Sequence, residues 1–385
     1  MSLTSTALDP RSLMARAEDA AGSDDWGEPP FREALEILCD SARREAGLSE
    51  AGEAALTGRI VDAGRKRLRI YADRKRYPEI AQQRILRPLI LTGLPRSGAA
   101  ILHALLAQDP AARSPLNWEL AEPSPPPRVE TFETDLRIAQ ADAAVARLDP
   151  EFRAMHAMGA QFPEECSAIM MMAFQSLNFW TVADLPSYAH WLLYESDARP
   201  AYAVHRHFLQ HLQAFAPGQW WTLKSPSHLL WLDRVMDTYP DARVVMTHRD
   251  PAAVLPSNAS LIAFLRRNTG PCDPKKLGAE QVTTWGRAVQ RALGYRESGA
   301  CAGQFFDFQH ADFKRDPLEM VEAIYEYFDM PLSDEARRRM RAFMAKNPQE
   351  AFSKHIYTAE QFGVDAKTLR REFADYIETF NIPTA

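Results

Sequence analysis

Cysteine is scarce in this chain, and its four residues are scattered without a C-x-x-C pair. The sequence therefore offers neither a zinc site nor a disulfide framework. Long hydrophobic runs are also missing, since no stretch of about 18 uncharged apolar residues occurs that would predict a membrane span. The N-terminus lacks the basic region and apolar stretch of a signal peptide. From these absences we expect a reduced, cytoplasmic protein without a membrane span.

Excess positive charge is missing as well. The 385 residues include 45 Lys and Arg against 51 Asp and Glu, which gives a formal net charge of -6. Proteins that bind nucleic acid need basic surface to neutralise phosphates, so we expect no nucleic-acid partner. The chain is long enough to bury a large core, and its content of 46% hydrophobic and 25% charged residues is ordinary for a globular protein.

The most informative segment that is present covers residues 88–103. An apolar run ends in the turn Gly93-Leu-Pro-Arg-Ser-Gly98, and apolar residues at helical spacing follow from Ile101. A strand, a tight loop and a helix in this order point backbone N–H groups and the positive helix end at one place, which favours an anion. Arg96 adds a planar guanidinium suited to phosphate or sulfate oxygens. The segment predicts a phosphate-type cradle.

This cradle differs from the P-loop of nucleoside triphosphatases. Ala99 and Ala100 follow Gly98, so the lysine and the magnesium-holding hydroxyl of that motif are missing. Their absence argues against a nucleotide-dependent kinase or hydrolase.

The rest of the chain alternates between predicted strands and helices. Strands are predicted at 220–223, 243–246 and 304–308, and Ser227 and Pro251 are expected at the starts of the helices that follow the first two. This spacing fits parallel crossover units and predicts an α/β fold. We expect a loose arm over 1–30 and a single domain over 31–385. That domain is expected to include N-terminal helices (31–87, one of them at 52–85), a helical substrate-side insertion (130–215), closing helices (316–329 and 333–345), and a C-terminal loop and helix (340–385, the helix at 366–380).

Basic residues stand at the predicted ends of three strands. They are Arg96, Lys224 and Arg249, and Ser257 follows Arg249 by about two helical turns. In open parallel sheets ligands bind beyond the carboxyl ends of the strands. Three cations at such ends predict a strongly anionic ligand held by several loops.

These residues carry a resemblance to a known family. The chain from about Phe31 onward resembles the bacterial branch of the sulfotransferases that use 3'-phosphoadenosine 5'-phosphosulfate (PAPS). The resemblance rests on an ordered set of motifs: Leu94-Pro-Arg-Ser-Gly98, Asp109-Pro110, Trp118-Glu119, Pro163-Glu-Glu-Cys166, Leu223-Lys-Ser-Pro226 with His228, Thr247-His-Arg-Asp-Pro251 with Ser257, and Tyr357 through Glu360 with Phe362 and Gly363. It implies a P-loop-like parallel sheet flanked by helices, with large helical additions at the N-terminus, in the middle and at the C-terminus.

The resemblance also implies roles for the basic residues. Lys224 would neutralise the leaving oxygen, and Arg249 with Ser257 would bind the 3'-phosphate, which remains in the product adenosine 3',5'-bisphosphate. Lys354 and His355 are expected either to close over the phosphates or to be solvated. The 5'-phosphate would be held by Arg96 and by the loop amides of Ser97, Gly98, Ala99 and Ala100.

An acceptor hydroxyl needs a general base. By resemblance Glu119 is the first candidate, because it stands shortly after the cradle helix, and Glu165 is the second. His228 is a third candidate, but it lies four residues after Lys224 and is expected rather to orient another group.

Two features leave the function open at this level. The family's usual hydroxyl residues are replaced by Ala99 and Ala100, so a sulfotransferase-like protein that binds nucleotide without catalysis is the alternative to an active enzyme. The acceptor is expected to be a small molecule or lipid-like compound. The residues rich in Met and aromatics at 169–194 fit either an apolar acceptor pocket or helix core.

Overall fold

A five-stranded parallel sheet lies at the centre of the molecule. The computed structural model describes residues 6–155, 158–347 and 358–384, and the statements below concern these residues. The strand order is β2-β3-β1-β4-β5, and every neighbouring pair is parallel. The strands are β1 (Leu89–Gly93), β2 (Ala112–Arg113), β3 (Trp220–Lys224), β4 (Arg243–His248) and β5 (Phe305–Gln309).

Helices cover both faces of this sheet and extend it at three places in the chain. Those before and directly after β1 are α1 (Pro10–Ala21), α2 (Arg32–Glu45), α3 (Glu50–Arg76) and α4 (Ala99–Leu106). The middle insertion has α5 (Asn117–Ala121), α6 (Leu136–Ala146), α7 (Pro150–Met155), α8 (Cys166–Met170), α9 (Leu177–Val182), α10 (Pro186–Tyr194) and α11 (Arg199–Gln213). The later helices are α12 (Leu232–Thr238), α13 (Pro251–Arg266), α14 (Pro274–Glu297), α15 (His310–Arg315), α16 (Pro317–Tyr327), α17 (Asp334–Lys346), α18 (Ala366–Glu372) and α19 (Ala374–Thr379).

The sheet is buried because its central strands carry apolar side chains on both faces. Every residue of β1, β3 and β4 is buried, which is the pattern of a parallel sheet covered by helices on both sides. One core cluster joins the N-terminal helices, the middle insertion and one face of the sheet. A second cluster packs α4, α16 and α17 on the opposite face. The predicted α/β class and the helical additions are confirmed.

The N-terminal segment differs from the expected loose arm. Residues 10–21 form α1, whose start is capped by Asp9 and whose end is closed by Gly22 in the left-handed conformation. Leu13, Met14 and Ala17 are buried, and α1 packs along α3. The expectation was wrong because the charged residues of this segment occupy only the outer face of an amphipathic helix.

Several helix boundaries also differ from the sequence pattern. The predicted 52–85 helix ends at Arg76, and a short 3₁₀ turn (Pro78–Ile80) follows it. Ser225 caps the segment after β3 by accepting a hydrogen bond from the Ser227 backbone N–H, so Ser227 is not the cap. The C-terminal helix expected over 366–380 is broken at Phe373 into α18 and α19.

Most of the Met and aromatic residues at 169–194 belong to the core, although Tyr194 is exposed. Ile169, Met170, Met172 and Phe174 are each no more than 3% exposed. The side chains therefore stabilise the middle insertion, as the core interpretation of this stretch predicted.

Candidate active site

The loop between β1 and α4 forms the candidate anion cradle. Gly93 has φ +152°, and a Cβ there would lie 2.2 Å from Thr247 Oγ1, so only glycine fits this contact with β4. Gly98 directly precedes α4 with φ +94°, and Arg96 has φ +64°. These left-handed residues turn the chain sharply between strand and helix. The first N–H groups of α4 consequently face the carboxyl end of the sheet, without partners inside the helix.

Ser97 closes this loop from within. Its hydroxyl donates a hydrogen bond of 2.5 Å to the Leu94 carbonyl and lies 2.6 Å from Thr247 Oγ1. The side chain is buried. The hydroxyl of Ser97 therefore ties the β1 loop to the end of β4.

The arginines predicted at two strand ends are in contact. Arg249 Nη1 donates to the Arg96 carbonyl at 2.8 Å, and Arg96 Nε donates to Ser257 Oγ at 3.2 Å. Ser257 lies on α13, which begins immediately after the β4 loop. The structure thus brings Arg96, Arg249 and Ser257 into one cluster, although 161 residues separate the first from the last. Such a cluster offers cationic donors to two anionic groups.

Lys224 ends β3, next to the cradle strand. Its backbone pairs with Leu91 of β1, and its ammonium group forms an ion pair with Glu165 Oε1. The Lys224 side chain is only 5% exposed, while that of Glu165 is 28% exposed. Ser167 donates a hydrogen bond to the other Glu165 oxygen at 3.1 Å. The carboxylate of Glu165 therefore lies beside the buried cation and remains accessible from solvent.

Glu119 lies in a different environment. Its side chain is fully buried, and Arg113 binds both of its carboxylate oxygens. One of these oxygens also accepts the Leu116 backbone N–H at 3.0 Å and so caps α5. A carboxylate that is held in this way has little freedom to accept a proton from a ligand. The contacts of Glu119 are those of a structural residue that joins β2 to α5.

His228 is also removed from solvent. It is 1% exposed, and its Nδ1 lies 2.7 Å from the Tyr202 hydroxyl. Burial holds the pKa of His228 well below its usual value, and the neighbouring His205 lowers it further. The imidazole is therefore neutral near pH 7.

His310 is a residue that the sequence analysis missed. It directly follows β5, so it stands at a fourth strand end, and this position was the available signal. A Cβ placed on Gly98 would lie 3.0 Å from the His310 ring. Burial lowers the pKa of His310 to about 4, and the charges of Arg249 and Lys314 contribute. A neutral imidazole thus borders the cradle.

Other predicted features are outside this geometry. Lys354 and His355 lie outside the residues that the structure describes. Within those residues, no group of His, Cys, Asp and Glu side chains is arranged to hold a metal ion. None of the described helices has the length and apolar character that crossing a membrane requires.

Comparison with known proteins finds similar sequences and similar structures. The profile of the sulfotransferase family matches residues 88–334. Sulfotransferase STF1 from Mycobacterium tuberculosis H37Rv is 34% identical in sequence; the match covers 95% of this chain and 98% of that structure, with a TM-score of 0.85. Sulfotransferase STF9 from Mycobacterium avium is 30% identical over 99% of this chain and 98% of that structure, with a TM-score of 0.90.

A more distant relative carries a substrate in its name. The omega-hydroxy-beta-dihydromenaquinone-9 sulfotransferase Stf3 of Mycobacterium bovis and of Mycobacterium tuberculosis is 22% identical over 284 residues. This match covers 71% of each chain.

Proposed function

The chain belongs to the sulfotransferase family, and on this premise we propose that it moves a sulfonate group from PAPS to an acceptor hydroxyl or amine. The observation that carries the proposal is the cluster of Arg96, Arg249 and Ser257 at neighbouring strand ends. PAPS has two phosphate-bearing ends, and we assign donors to each of them. Arg96 and the N-terminus of α4 would hold the 5'-phosphosulfate, through the amides of Ser97, Gly98, Ala99 and Ala100. Arg249 and Ser257 would hold the 3'-phosphate.

The reaction forms one bond and breaks one. The acceptor oxygen attacks sulfur, and the bond between sulfur and the bridging phosphate oxygen breaks, which leaves adenosine 3',5'-bisphosphate. The protein's part is to position the reactants and to neutralise developing charge. We assign the neutralisation of the departing oxygen to Lys224, whose ammonium group is buried at the end of β3.

The proton of the acceptor goes to Glu165 in this proposal. Glu165 is preferred to Glu119 because it is partly exposed and lies beside Lys224, whereas Glu119 is fully buried and bound by Arg113. His228 is given the role of orienting Tyr202, since the two side chains share a hydrogen bond away from solvent.

The acceptor class follows from chemistry and from one relative. Sulfonate transfer needs a hydroxyl or amine, and the name of Stf3 describes a hydroxylated, lipid-like menaquinone derivative. We therefore propose a small-molecule or lipid-like alcohol as the acceptor.

A second candidate function has one observation in its favour. Ala99 and Ala100 open α4 without side-chain hydroxyls, and hydrogen bonds to charged groups contribute about 1.5–3 kcal/mol each. A protein that binds the nucleotide without transferring sulfonate would tolerate this loss more easily than an enzyme.

Two measurements test these functions in turn. Calorimetric titration with adenosine 3',5'-bisphosphate, and with ATP plus magnesium in parallel, is expected to favour the bisphosphate. Incubation with PAPS carrying labelled sulfonate and a panel of hydroxyl compounds is then expected to label an acceptor. A preference for ATP would contradict both functions, whereas bisphosphate binding without transfer to any acceptor would favour the non-catalytic one.

A further inference from the structure

The loop that carries Arg249 is held by the last two helices of the chain. Arg370 on α18 donates from Nε and Nη2 to Asp250 Oδ2, at 3.1 and 2.7 Å. Asp250 is the residue directly after Arg249 and is only 7% exposed. Its other carboxylate oxygen accepts the Ala252 backbone N–H at 2.9 Å and so caps α13. The Asp250 carboxylate therefore joins α18 to the start of α13, the helix that bears Ser257.

A second contact reaches the other side of Arg249. The Tyr376 hydroxyl on α19 lies 3.1 Å from His248 Nδ1, and the His248 ring stacks on Phe380 with centroids 4.0 Å apart. Burial raises the pKa of Tyr376, and a hydrogen bond from the Arg249 backbone opposes this rise. Both neighbours of Arg249 in the chain are thus bound by residues at 370–380.

From these contacts we infer that Arg370 and Tyr376 are positioning residues for the 3'-phosphate end of the nucleotide. This inference rests on the proposed function, in which Arg249 and Ser257 hold that phosphate. Arg370 and Tyr376 touch the backbone and side chains on either side of Arg249 and fix the direction of its guanidinium. Without these contacts the loop after β4 can adopt other conformations. The free energy of nucleotide binding is then less favourable by the cost of ordering that loop.

The readout separates positioning from a general structural role. Adenosine 3',5'-bisphosphate occupies both ends of the site, whereas adenosine 5'-phosphate lacks the 3'-phosphate. Arg370→Gln is expected to weaken affinity for the bisphosphate roughly tenfold while changing affinity for adenosine 5'-phosphate by about twofold or less. Tyr376→Phe keeps the ring packing, removes only the hydroxyl and is expected to show the same selective loss.

Arg371→Gln is the matched control. Arg371 is the next residue of α18, carries the same charge and is exposed. The substitution is expected to leave affinity for both nucleotides unchanged, so any effect of net charge alone would appear there.

Asp250→Asn distinguishes positioning from electrostatics more sharply. Removing a negative charge near a phosphate site strengthens anion binding if only the field matters. If Arg370 acts through Asp250, the same substitution weakens bisphosphate binding instead, and combining it with Arg370→Gln adds little further loss.

Different outcomes test the positioning role and the assignment of Arg249 to the 3'-phosphate. An equal loss of affinity for both nucleotides, or no loss in Arg370→Gln and Tyr376→Phe, would overturn the positioning role while leaving the proposed function intact. Equal affinity of the unmodified protein for bisphosphate and adenosine 5'-phosphate would overturn the assignment of Arg249 to the 3'-phosphate, and the positioning role with it.

Discussion

Two glutamates illustrate how the same side chain serves different purposes in this molecule. Glu119 has both oxygens bound to a buried arginine and caps a helix. Glu165 forms an ion pair with Lys224 of the candidate site, and its side chain is partly exposed to solvent. A general base must come within hydrogen-bond distance of the proton that it accepts, and the solvent exposure of the carboxylate distinguishes Glu165 from Glu119 in this respect.

Glu165→Gln is therefore expected to lower kcat by about 10²–10⁴-fold, because the amide cannot accept the acceptor's proton. Affinity for adenosine 3',5'-bisphosphate should stay within severalfold of the unmodified protein. Labelled-sulfonate kinetics and calorimetry measure the two quantities.

The control is Glu119→Gln, which removes a buried charge of the same type. It is expected to lower the unfolding midpoint because Arg113 loses its partner, with turnover per folded molecule preserved. Turnover that depends on Glu119 and not on Glu165 would reverse the assignment.

A second prediction concerns the two alanines at the start of α4. Ala100 is exposed at the helix N-terminus, where a hydroxyl can reach a bound anion. Ala100→Thr is expected to tighten binding of adenosine 3',5'-bisphosphate by about tenfold, the value of one hydrogen bond to a charged group.

Ala100→Val has nearly the same shape as the threonine variant without the hydroxyl, so calorimetry on the pair isolates the hydrogen bond. Equal affinities in the two variants would mean that no phosphate oxygen comes within reach of residue 100.

Among the elements, the strands at the centre of the sheet were predicted well from the sequence. The strands after residues 88, 219, 242 and 303 were predicted to within about two residues, because each is a short apolar run before a turn. The broken helix at Phe373 was missed because its apolar spacing continues across the break. The N-terminal helix was missed although Asp9-Pro10 and Gly22 are capping signals that the sequence displays.

The proposed change of base from Glu119 to Glu165 depends on contacts between elements. The contacts of Glu119 come from Arg113 and from the turn at Leu116, and no spacing rule predicts that both oxygens are used. Likewise, the contact of Glu165 with Lys224 joins residues 59 positions apart. Side-chain pairing across distant elements depends on how the middle insertion packs on the sheet, which local patterns do not encode.

Arg67 joins the N-terminal helices to the middle insertion. This side chain of α3 is fully buried and donates to the carbonyls of Trp26, Pro29 and Met172 at 2.5–3.1 Å. Basic residues on a surface helix usually face solvent, but Arg67 of α3 does not. Burial lowers the pKa of Arg67 to about 10.

Arg67→Lys is expected to cost about 3–5 kcal/mol in the free energy of unfolding, because one ammonium cannot replace three directed donors in a buried site. Denaturant unfolding measures this value. Arg69→Lys, on the same helix but 35% exposed, should cost less than about 1 kcal/mol. Similar costs for the two substitutions would contradict the role of Arg67 as a tie between elements.

At the scale of the whole molecule, burial of histidine couples stability to pH. Burial lowers the pKa of His103 and His205 to about 3, and that of His207 to about 4, against 6.5 for an unperturbed side chain. Positive neighbours add to the effect at His103 and His207. These imidazoles stay neutral in the folded protein at a pH where the unfolded chain takes up protons.

Between pH 6.5 and about 4 the unfolded state binds more protons, so stability falls as the pH falls, by up to about 1.4 kcal/mol per pH unit for each such group. We expect the free energy of unfolding to be largest above pH 6.5 and to drop steeply towards pH 5. Denaturant titrations at successive pH values measure the slope.

His207→Gln is expected to reduce the dependence of the free energy of unfolding on pH by the contribution of one histidine. His207 suits this test because it is partly accessible and, among the described residues, is hydrogen-bonded only to the Tyr71 hydroxyl. His190→Gln, at an exposed position, is the control. A free energy of unfolding that is constant from pH 7 to pH 5 would contradict the effect of histidine burial.

The contact between Gly93 and Thr247 has a consequence for ligand selection. Because β1 meets β4 there with no room for a side chain, and because the Ser97 hydroxyl bridges the same gap, the loops after β1 and β4 are held together. These are the two loops to which the proposed function assigns the phosphates. The distance between the two loops is therefore fixed. If these loops bind the two phosphates as proposed, we expect an adenosine derivative with differently spaced anionic groups, such as one phosphorylated at the 2' position, to contact one loop at a time but not both.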